Sequence, residues 1–518
     1  MNEVVKAGHP MDMATFLPHR LQDLLEEYAV TDCAKRAGDR VEAMKFWLKR
    51  AIELKDSERD LHPGLDESVA TVLKGKRVLL WKQMLEAINY EDMSVVQEFT
   101  SETPLIGQSE ETGLWPKKFK PASMSQSRPL LTYKSFEFMD DDVMDAVWSQ
   151  TLDEVAKGEL TGLFSLDEIP ETQPLSKRFG VKQSSKVRCV DDFTQSSISA
   201  RAQTCESPKP HTVDIICSMC FGLMKVTQAG TKWQARSFGL KRAYRQCSIK
   251  PSRLCCGVIA VADPHERSVK CFRMQALPFG SVMWVHSFLR VAHSLWEILV
   301  SVFKVFLSNY FDHLVVFSTE AESQSVTAAV TTAFKTLGWV FAETGDKAPP
   351  FSELVTALGV VIDVSKLHLG SVTVDNTVTR KKEISASLRH VLDTRKLHRH
   401  EALKLRGRLQ FVAGQIFGRV AKCCLALVTY HAYSEHGPEI NGDARAALTL
   451  FLQLLAMKIP RQISSRTELT WFLFTDACFE PSDGPPTAGV GAILVDQFGR
   501  KKSFISVFSQ KASFMTSM

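Results

Sequence analysis

The feature that most constrains the fold is a short polar turn between two β-rich arms, in residues 305–317. Both arms are dominated by β-branched, aromatic and leucine side chains, a pattern that predicts two antiparallel strands joined by a tight turn. Asp312 lies in that turn, and an acid at the tip of an otherwise apolar hairpin loses hydration energy unless a cation or a donor pairs with it. The pattern therefore predicts an antiparallel sheet with a candidate cation site, and an ordinary solvated turn aspartate is the alternative.

Composition narrows the class of protein further. Apolar residues make up 45% of the 518-residue chain and charged residues 23%, values that exclude a fully disordered chain and a collagen-like fibre. The length predicts about three domains at roughly 150 residues each. The net charge of +5 is too small on its own to indicate a polyanionic partner. Whether the chain binds a polyanion therefore has to be judged from how the charges are distributed.

The sequence gives no indication of secretion or of a membrane span. The segment Met1–Lys6 has an early acid and no apolar core, unlike a secretory signal. The most apolar stretch, Leu295–Phe317, is interrupted by charged residues and is interpreted as buried core. Only Cys217 and Cys220 have metal-like spacing, and buried thiols in a reducing compartment are favoured over a zinc site. We therefore expect an intracellular protein, in the cytoplasm or nucleus, that is not secreted and has no membrane partner.

Four further motifs accompany the hairpin in a fixed order. They are Lys186–Phe193, Ser237–Gln246, Gln275–Ser281 and, after the hairpin, Leu358–Asp363. Each is weak alone, but their order and spacing between about residues 178 and 365 resemble reverse transcriptases of retrotransposons, most closely the gypsy- and DIRS-type Pol proteins. The resemblance implies RNA-directed DNA polymerase activity, which is a nucleotidyltransferase reaction. It also implies an α+β right-hand fold of fingers, palm and thumb, with an antiparallel palm sheet backed by helices.

Enzymes of this family hold two Mg²⁺ ions with three aspartates, and this chain departs from that pattern at two of the three positions. Asp312 matches the first residue of the family's double aspartate, whereas His313 stands at the second. Gly239, five residues before the aromatic Tyr244, stands where the family has its other aspartate, and residues 231–251 contain no acid that could replace it. Glycine offers no side-chain oxygen and histidine is a poor Mg²⁺ ligand. The resemblance therefore implies Asp312 as the remaining metal ligand and a catalytically impaired enzyme.

The fingers-like motif carries residues that the resemblance assigns to the incoming nucleotide. Arg188 matches the arginine that grips the triphosphate, a group that suits guanidinium geometry. Either Lys186 or Lys182 could assist it, and both could equally be ordinary surface lysines. Asp191 and Asp192 form an alternative acidic pair, but Asp192 matches a structural aspartate of the family. A structural role is therefore favoured over metal binding for that pair.

Four residues of the palm-like segments complete the nucleotide site that the resemblance implies. Tyr244 would stack under the deoxyribose and exclude a 2′-hydroxyl, and a plain core tyrosine is the alternative. Phe279 and Gly280 would place the following helix against the templating base. Lys347 resembles a late-palm lysine near the phosphates, although it could be a solvated loop residue. The resemblance thus implies a deoxynucleoside triphosphate (dNTP) and an RNA or DNA template–primer as partners.

The C-terminal β-rich runs resemble the start of a ribonuclease H domain. Asp476 ends the first of three such runs and matches the first metal aspartate of that domain. Three strands make up only part of a ribonuclease H domain, so we expect no ribonuclease H activity. The predicted regions are a helical N-terminal region and linker at 1–130, fingers and palm at 131–365, a basic helical thumb or connection at 366–465, and an incomplete ribonuclease H-like segment at 466–518.

Positive charge is concentrated in the thumb-like segment. Residues 380–422 hold twelve lysines and arginines but only three acids, a net charge of +9, so the remainder of the chain is net negative. Such a block predicts a surface that grips a nucleic-acid backbone, and a merely solvated helical face is the alternative. Three functions stay open: a reverse transcriptase whose chemistry is lost or severely impaired, a non-catalytic nucleic-acid-binding pseudoenzyme, and a decayed fragment of a retroelement.

Overall fold

The chain divides into two compact units, Met1–Ile463 and Ser464–Met518. The computed structural model describes residues 17–101, 106–118, 139–170, 173–182, 186–249, 257–345, 348–416, 421–433, 437–457, 459–465, 471–480, 487–496 and 498–508. Among these residues, no helix is both long enough and apolar enough to span a bilayer.

The helices of the chain all lie in the first unit as far as the described residues extend. Some helices have a capping residue at their N-terminus. For example, the carboxylate of Asp32 and the amide oxygen of Asn441 each accept a hydrogen bond from a backbone N–H of the first helical turn, at 2.8 Å. The helices are α1 (His19–Val30), α2 (Cys33–Glu53), α3 (Lys55–Leu61), α4 (Glu67–Val72), α5 (Val78–Ala87), α6 (Ser94–Ser101), α7 (Asp141–Ala156), α8 (Val213–Val226), α9 (Val282–Ser301), α10 (Ser323–Leu337), α11 (Val378–Thr394), α12 (Arg399–Ala413), α13 (Lys422–Tyr433) and α14 (Gly442–Ala456).

The strands form several small sheets. The strands up to the unit boundary are β1 (Gly107–Gln108), β2 (Leu160–Ser165), β3 (Leu175–Lys182), β4 (Val187–Asp191), β5 (Ala202–Gln203), β6 (Trp233–Gly239), β7 (Val258–Asp263), β8 (Ser268–Met274), β9 (Phe306–Tyr310), β10 (His313–Thr319), β11 (Leu354–Ala357), β12 (Val360–Asp363), β13 (Ser371–Asn376) and β14 (Arg461–Ser464). Their sheet orders are β1-β5, β6-β10-β9, β11-β12-β13-β14 and β2-β8-β7-β3-β4.

The hairpin that the sequence predicts in residues 305–317 is present. β9 and β10 pair antiparallel, and β10 also pairs antiparallel with β6. The turn holds Phe311 in the left-handed backbone region at φ +56°, a conformation found mainly in tight turns. On the hairpin, Val316 and Phe317 are buried in the core, and α9 and α10 pack against its strands. Asp312 is therefore held at the end of a rigid sheet and not on a loose loop.

A buried ion-pair network joins the five-stranded sheet to the turn after β6. The guanidinium of Arg178 on β3 is fully buried and contacts Asp191 on β4 at 2.7 Å and Glu154 on α7 at 2.8 Å. Arg245, in the turn after β6, also contacts Glu154 at 2.8 Å. Burial alone would raise the pKa of Glu154, but the charges of Arg245 and Arg178 outweigh it and lower that pKa. The two arginines thus keep Glu154 ionised inside the core.

The N-terminal helices share one core with the central sheet. α2 lies against α10, where Arg36 and Arg40 contact the buried carboxylate of Glu322 at 2.6 and 2.7 Å. α1 packs on α8 and α9, and its Arg20 contacts Glu297 of α9 at 2.9 Å. Their apolar residues belong to the same buried cluster as the residues of the hairpin.

The basic segment forms a helical subdomain with its own core. Helices α11 to α14 pack around fully buried Phe451. Hydrogen bonds connect this subdomain to the sheet of β11 to β14. For example, the Asn376 amide donates to the Val412 carbonyl at 3.0 Å, and Arg380 donates to the Gly359 carbonyl at 2.9 Å. The Arg380 side chain is therefore engaged in an internal hydrogen bond, whereas most of the remaining lysines and arginines of the segment are exposed to solvent.

The second unit contains an antiparallel sheet in the order β15-β16-β17, formed by β15 (Trp471–Glu480), β16 (Thr487–Asp496) and β17 (Lys501–Phe508). The three strands predicted from the sequence are thus present. Asp476 is exposed and faces Gly491 across the β15–β16 pairing. The ribonuclease H-like character of the sheet stays a prediction.

Three buried histidines cluster between α9 and the loop that precedes α8. His211 Nδ1 accepts a hydrogen bond from the backbone N–H of Asn309 at 3.1 Å, and His293 Nδ1 lies 3.1 Å from the Tyr90 hydroxyl. Burial lowers the pKa of His211 to about 3, and it lowers the pKa values of His286 and His293 to about 4. The folded protein therefore holds all three imidazoles neutral at neutral pH.

We expect these histidines to make the fold sensitive to acid. Their pKa values in the folded state lie below the unfolded value of roughly 6.5, so as pH falls below that value the unfolded chain takes up protons that the folded chain refuses. The free energy of unfolding should fall by about 2 kcal/mol per histidine between pH 6.5 and pH 5. Thermal unfolding midpoints measured between pH 6.5 and pH 5 test this loss of stability, and the His211→Gln variant is measured beside the wild type.

The glutamine variant should start less stable at pH 7 and lose stability less steeply on acidification, because one titrating group is gone. Buried carboxyls titrate in both proteins, so their contribution cancels in the difference. Parallel pH curves for the two proteins would contradict the assignment of acid sensitivity to His211.

Candidate active site

The three positions that the resemblance assigns to metal binding come together at the end of β6. Gly239 and His313 are direct partners across the β6–β10 pairing. The backbone N–H of Leu240 donates to the Asp312 carbonyl at 3.0 Å, and the Gly239 carbonyl accepts from Ala342 at 2.9 Å. Gly239 is buried, Asp312 is half-buried and His313 is exposed. The sheet therefore places the glycine and the histidine against each other beside a single carboxylate.

The residues present do not fit a pair of magnesium ions. Mg²⁺ prefers octahedral oxygen ligands and is usually bound through carboxylates. Within the described part of the chain, no group of three or more His, Cys, Asp or Glu side chains is arranged to hold a metal. At this site Asp312 supplies the carboxylate, and Gly239 and His313 supply no further side-chain oxygen. A role of Asp312 in binding a metal stays a prediction.

Tyr244 lies in an aromatic stack next to the acid. Its ring is stacked on Phe288 with centroids 4.4 Å apart and meets the edge of Phe279 at 5.4 Å. Its hydroxyl is buried and has no hydrogen-bond partner among the described residues. Burial, and after it the negative charge of Asp312, raises the pKa of Tyr244 above its usual value. The tyrosine is therefore held rigidly, with an unused polar group close to Asp312.

The fingers-like and palm-like nucleotide residues also meet. The guanidinium of Arg188 lies 4.9 Å from the ring centroid of Phe279, which is 53% exposed. Gly280 adopts φ +131°, a value that L side chains rarely take, and it packs close to the Asp191 carbonyl. Lys186 is exposed directly before β4. Arg188 and Tyr244 thus both contact the ring of Phe279.

Two neighbouring groups do not take part in these contacts. Lys182, considered with Lys186 as a helper of Arg188, contacts Asp142 at the start of α7 at 2.9 Å. Asp192 accepts hydrogen bonds from the backbone N–H groups of Thr194 and Gln195 at 3.0 and 2.8 Å. Asp192 thus stabilises a turn, in line with the structural role favoured from the sequence.

The structure does not relate two further predicted site residues to this arrangement. Lys347 lies outside the described residues. Asp476 belongs to the second unit. Their roles stay predictions.

A cavity of about 820 Å³ opens beside the hairpin. Tyr310 and His313 line one side, and Gln410 and Phe411 of α12 line the other. Gln415 also lines it, is 5% exposed, and its Oε1 has no hydrogen-bond partner in the described structure. The cavity therefore lies between the sheet that carries Asp312 and the basic helical subdomain.

Several residues that shape the site carry no recognisable signal in the sequence. Phe288 supports Tyr244, but it is one of many apolar residues on α9. Asp214 and Arg461 meet on the cavity wall although 247 residues separate them. Such pairings depend on the tertiary fold and could not be found from spacing alone.

No protein-family model matches this sequence, and a search of curated proteins finds no relative. Solved structures do match. The chain is similar to the foamy viral protease-reverse transcriptase dRH in complex with double-stranded DNA, with a TM-score of 0.50, 14% identity, and coverage of 86% of this chain and 70% of that one. The foamy viral protease-reverse transcriptase in complex with dsDNA matches with a TM-score of 0.48, 15% identity, and coverage of 86% and 83%. The chain therefore has a mixed α and β, reverse-transcriptase-like fold.

Proposed function

We propose that this chain is a retroelement-derived protein of reverse-transcriptase fold that binds template–primer duplexes without transferring nucleotides. The observation that carries the proposal is the direct pairing of Gly239 with His313 beside Asp312. Two carboxylates of the family pattern are replaced by groups that offer Mg²⁺ no oxygen. The gypsy- or DIRS-type origin rests on the sequence motifs alone.

The same replacements favour nucleic-acid binding without a metal. A cluster of three carboxylates repels a phosphate backbone unless cations neutralise it. Here only Asp312 is acidic, and His313 is exposed at the start of β10, where it can donate a hydrogen bond. Duplex binding should therefore need no Mg²⁺ and should persist with a chelator. An intact two-metal site would make binding respond to the ion.

The outward face of the basic helices supplies the expected contacts to the backbone. Arg380 and Lys381 are engaged, with the Gly359 carbonyl and with Asp375 at 2.6 Å respectively. A set of exposed cations makes no ion pair with any described residue: Lys382, Arg389, Arg395, Lys396 and Lys404. These groups are free to meet phosphates, which supports this face as the backbone-binding surface.

We expect an RNA–DNA hybrid to bind with a steep salt dependence, and a charge reversal on this face to weaken that binding. Replacing Lys396 and Lys404 together by glutamate should reduce affinity by about tenfold or more. It should also lower the slope of log K against log salt by about 2, since roughly one counterion is released per phosphate contact. Fluorescence anisotropy in a salt series, with and without a chelator, measures both.

The matched control places the same charge change on the N-terminal layer. Replacing Lys45 and Lys49 of α2, both exposed, by glutamate alters the net charge equally and should leave the slope unchanged. Equal losses in the two double variants would indicate a general charge effect and not a binding face. Absence of salt-sensitive binding by the wild type would leave the decayed-fragment interpretation.

The nucleotide side of the site is a separate part of the proposal. The contacts of Arg188 and Tyr244 with the Phe279 ring support retention of a site for a dNTP or for the end of a strand. Arg188 offers a guanidinium for phosphate, and Phe279 offers an exposed ring for stacking.

A further inference from the structure

An ion pair between Asp214 and Arg461 lies on the wall of the cavity beside the hairpin. Asp214 is in the first turn of α8, and Arg461 is the first residue of β14. The Asp214 carboxylate oxygen accepts from an Arg461 Nη at 2.7 Å. The Asp214 side chain is 55% exposed and the Arg461 side chain 13%. The Asp214 side chain is therefore accessible to solvent, whereas the Arg461 side chain is largely buried.

Arg461 is fixed because it lies where the chain returns from the basic helices to the sheet. Its backbone N–H donates to the Gln415 carbonyl just after α12, at 3.0 Å. The next residue, Gln462, donates to the hydroxyl of Ser371 on β13 at 3.3 Å. Its guanidinium consequently has a defined position at the junction of the helical subdomain and the sheet.

The cavity has a volume of about 820 Å³, far less than the space that a length of double helix fills, since the major groove of B-DNA alone is about 12 Å wide. Tyr310 and His313 face Gln410 and Phe411 across this space. A duplex that approached Asp312 from this side would have to widen the gap between sheet and helices. Contacts that bridge the gap oppose such widening.

We propose that Asp214 is an autoinhibitory partner of Arg461, occupying in the closed cleft the guanidinium that a nucleic-acid phosphate takes in the open cleft. A carboxylate and a phosphate present similar pairs of oxygens to arginine, so one can replace the other. The exposed Asp214 regains water when the pair separates, and Arg461 keeps an anionic partner. This inference rests on the proposed nucleic-acid binding and adds a regulating contact to it.

Removing the carboxylate charge tests the inference. Asp214→Asn keeps the size of the side chain and weakens its hold on Arg461. The variant should bind an RNA–DNA hybrid about two- to fivefold more tightly than the wild type, which is the range expected from a partly exposed ion pair. The gain should appear in the association rate, measured by stopped-flow fluorescence at fixed salt. Arg461→Gln should weaken binding and should abolish the effect of Asp214→Asn in the double variant.

The matched control is Asp443→Asn, an exposed acid in the first turn of α14 that undergoes the same change of charge at the same helix position. It should leave affinity unchanged. Unchanged or weaker binding by Asp214→Asn overturns the inference. A gain of equal size in Asp443→Asn, or a gain that persists with Arg461→Gln, overturns it as well. Absence of binding by the wild type and by every variant at low salt refutes the proposed function itself.

Discussion

Replacing Gly239 and His313 together by aspartate should create primer extension with Mg²⁺ or Mn²⁺, whereas we expect none from the wild type. The wild type has a single carboxylate where two ions need several, and losing one preorganised electrostatic group typically costs a factor of 10² to 10³ in rate. Two restored groups should therefore raise the rate by on the order of 10⁴ or more. Extension of a labelled primer on an RNA template measures it.

The backbone at Gly239 and the exposure of His313 favour both replacements. Gly239 is not among the glycines with positive φ, so aspartate can take its strand backbone without strain. His313 is exposed, and a shorter side chain fits there. The two new carboxylates would face each other across the β6–β10 pairing beside Asp312.

Each single replacement should remain far less active than the pair, and Asp312→Ala in the restored protein should abolish the gain. Mn²⁺ titration followed by electron paramagnetic resonance provides a readout independent of turnover: the restored protein should bind the ion tightly and the wild type weakly. Ordinary extension rates by the wild-type protein would refute the assignment of Gly239 and His313 as lost ligands.

Arg178→Ala should destabilise the protein by about 3–5 kcal/mol, the cost typical of breaking a buried ion pair from one side. Arg178 is fully buried, and its removal leaves Asp191 and part of Glu154 without a cation in the core. Arg245 can satisfy Glu154 in part but lies 4.0 Å from Asp191. Urea unfolding followed by tryptophan fluorescence measures the loss.

Lys182→Ala is the matched control on the same strand. Lys182 also contacts an acid, Asp142 at 2.9 Å, but both side chains are more than half exposed. Exposed pairs contribute about 0–1 kcal/mol, so this variant should unfold close to the wild type. If both variants lost a similar free energy of unfolding, burial would not be what makes the Arg178 ion pairs stabilising.

The parts of the fold that depend on local pattern could be predicted from the sequence. The hairpin around Asp312 has two β-rich arms and a turn in one stretch of chain, and the basic helices have their charges within 43 residues. Long-range pairs leave no such local pattern. The sequence favours a structural role for Asp191, but its buried partner Arg178 is evident only once β3 pairs with β4.

The cavity could not be predicted either, because the residues that line it are far apart in the sequence. Asp214 lies before the hairpin and Arg461 follows the last helix, and no periodicity relates them. The resemblance assigns Arg188, Phe279 and Tyr244 to one nucleotide site, and both Arg188 and Tyr244 contact Phe279. It did not indicate that the tyrosine hydroxyl would be buried without a partner, because that depends on the stacking against Phe288.

The packing of the N-terminal helices limits where the protein can be shortened. A fragment starting at residue 131 would leave the Glu322 carboxylate buried without Arg36 and Arg40, and would uncover the apolar surfaces that α1 and α2 protect. Mutations or deletions in the first hundred residues should therefore damage the Asp312 turn from a distance. Any shortened version made for biochemical work has to begin at or before α1.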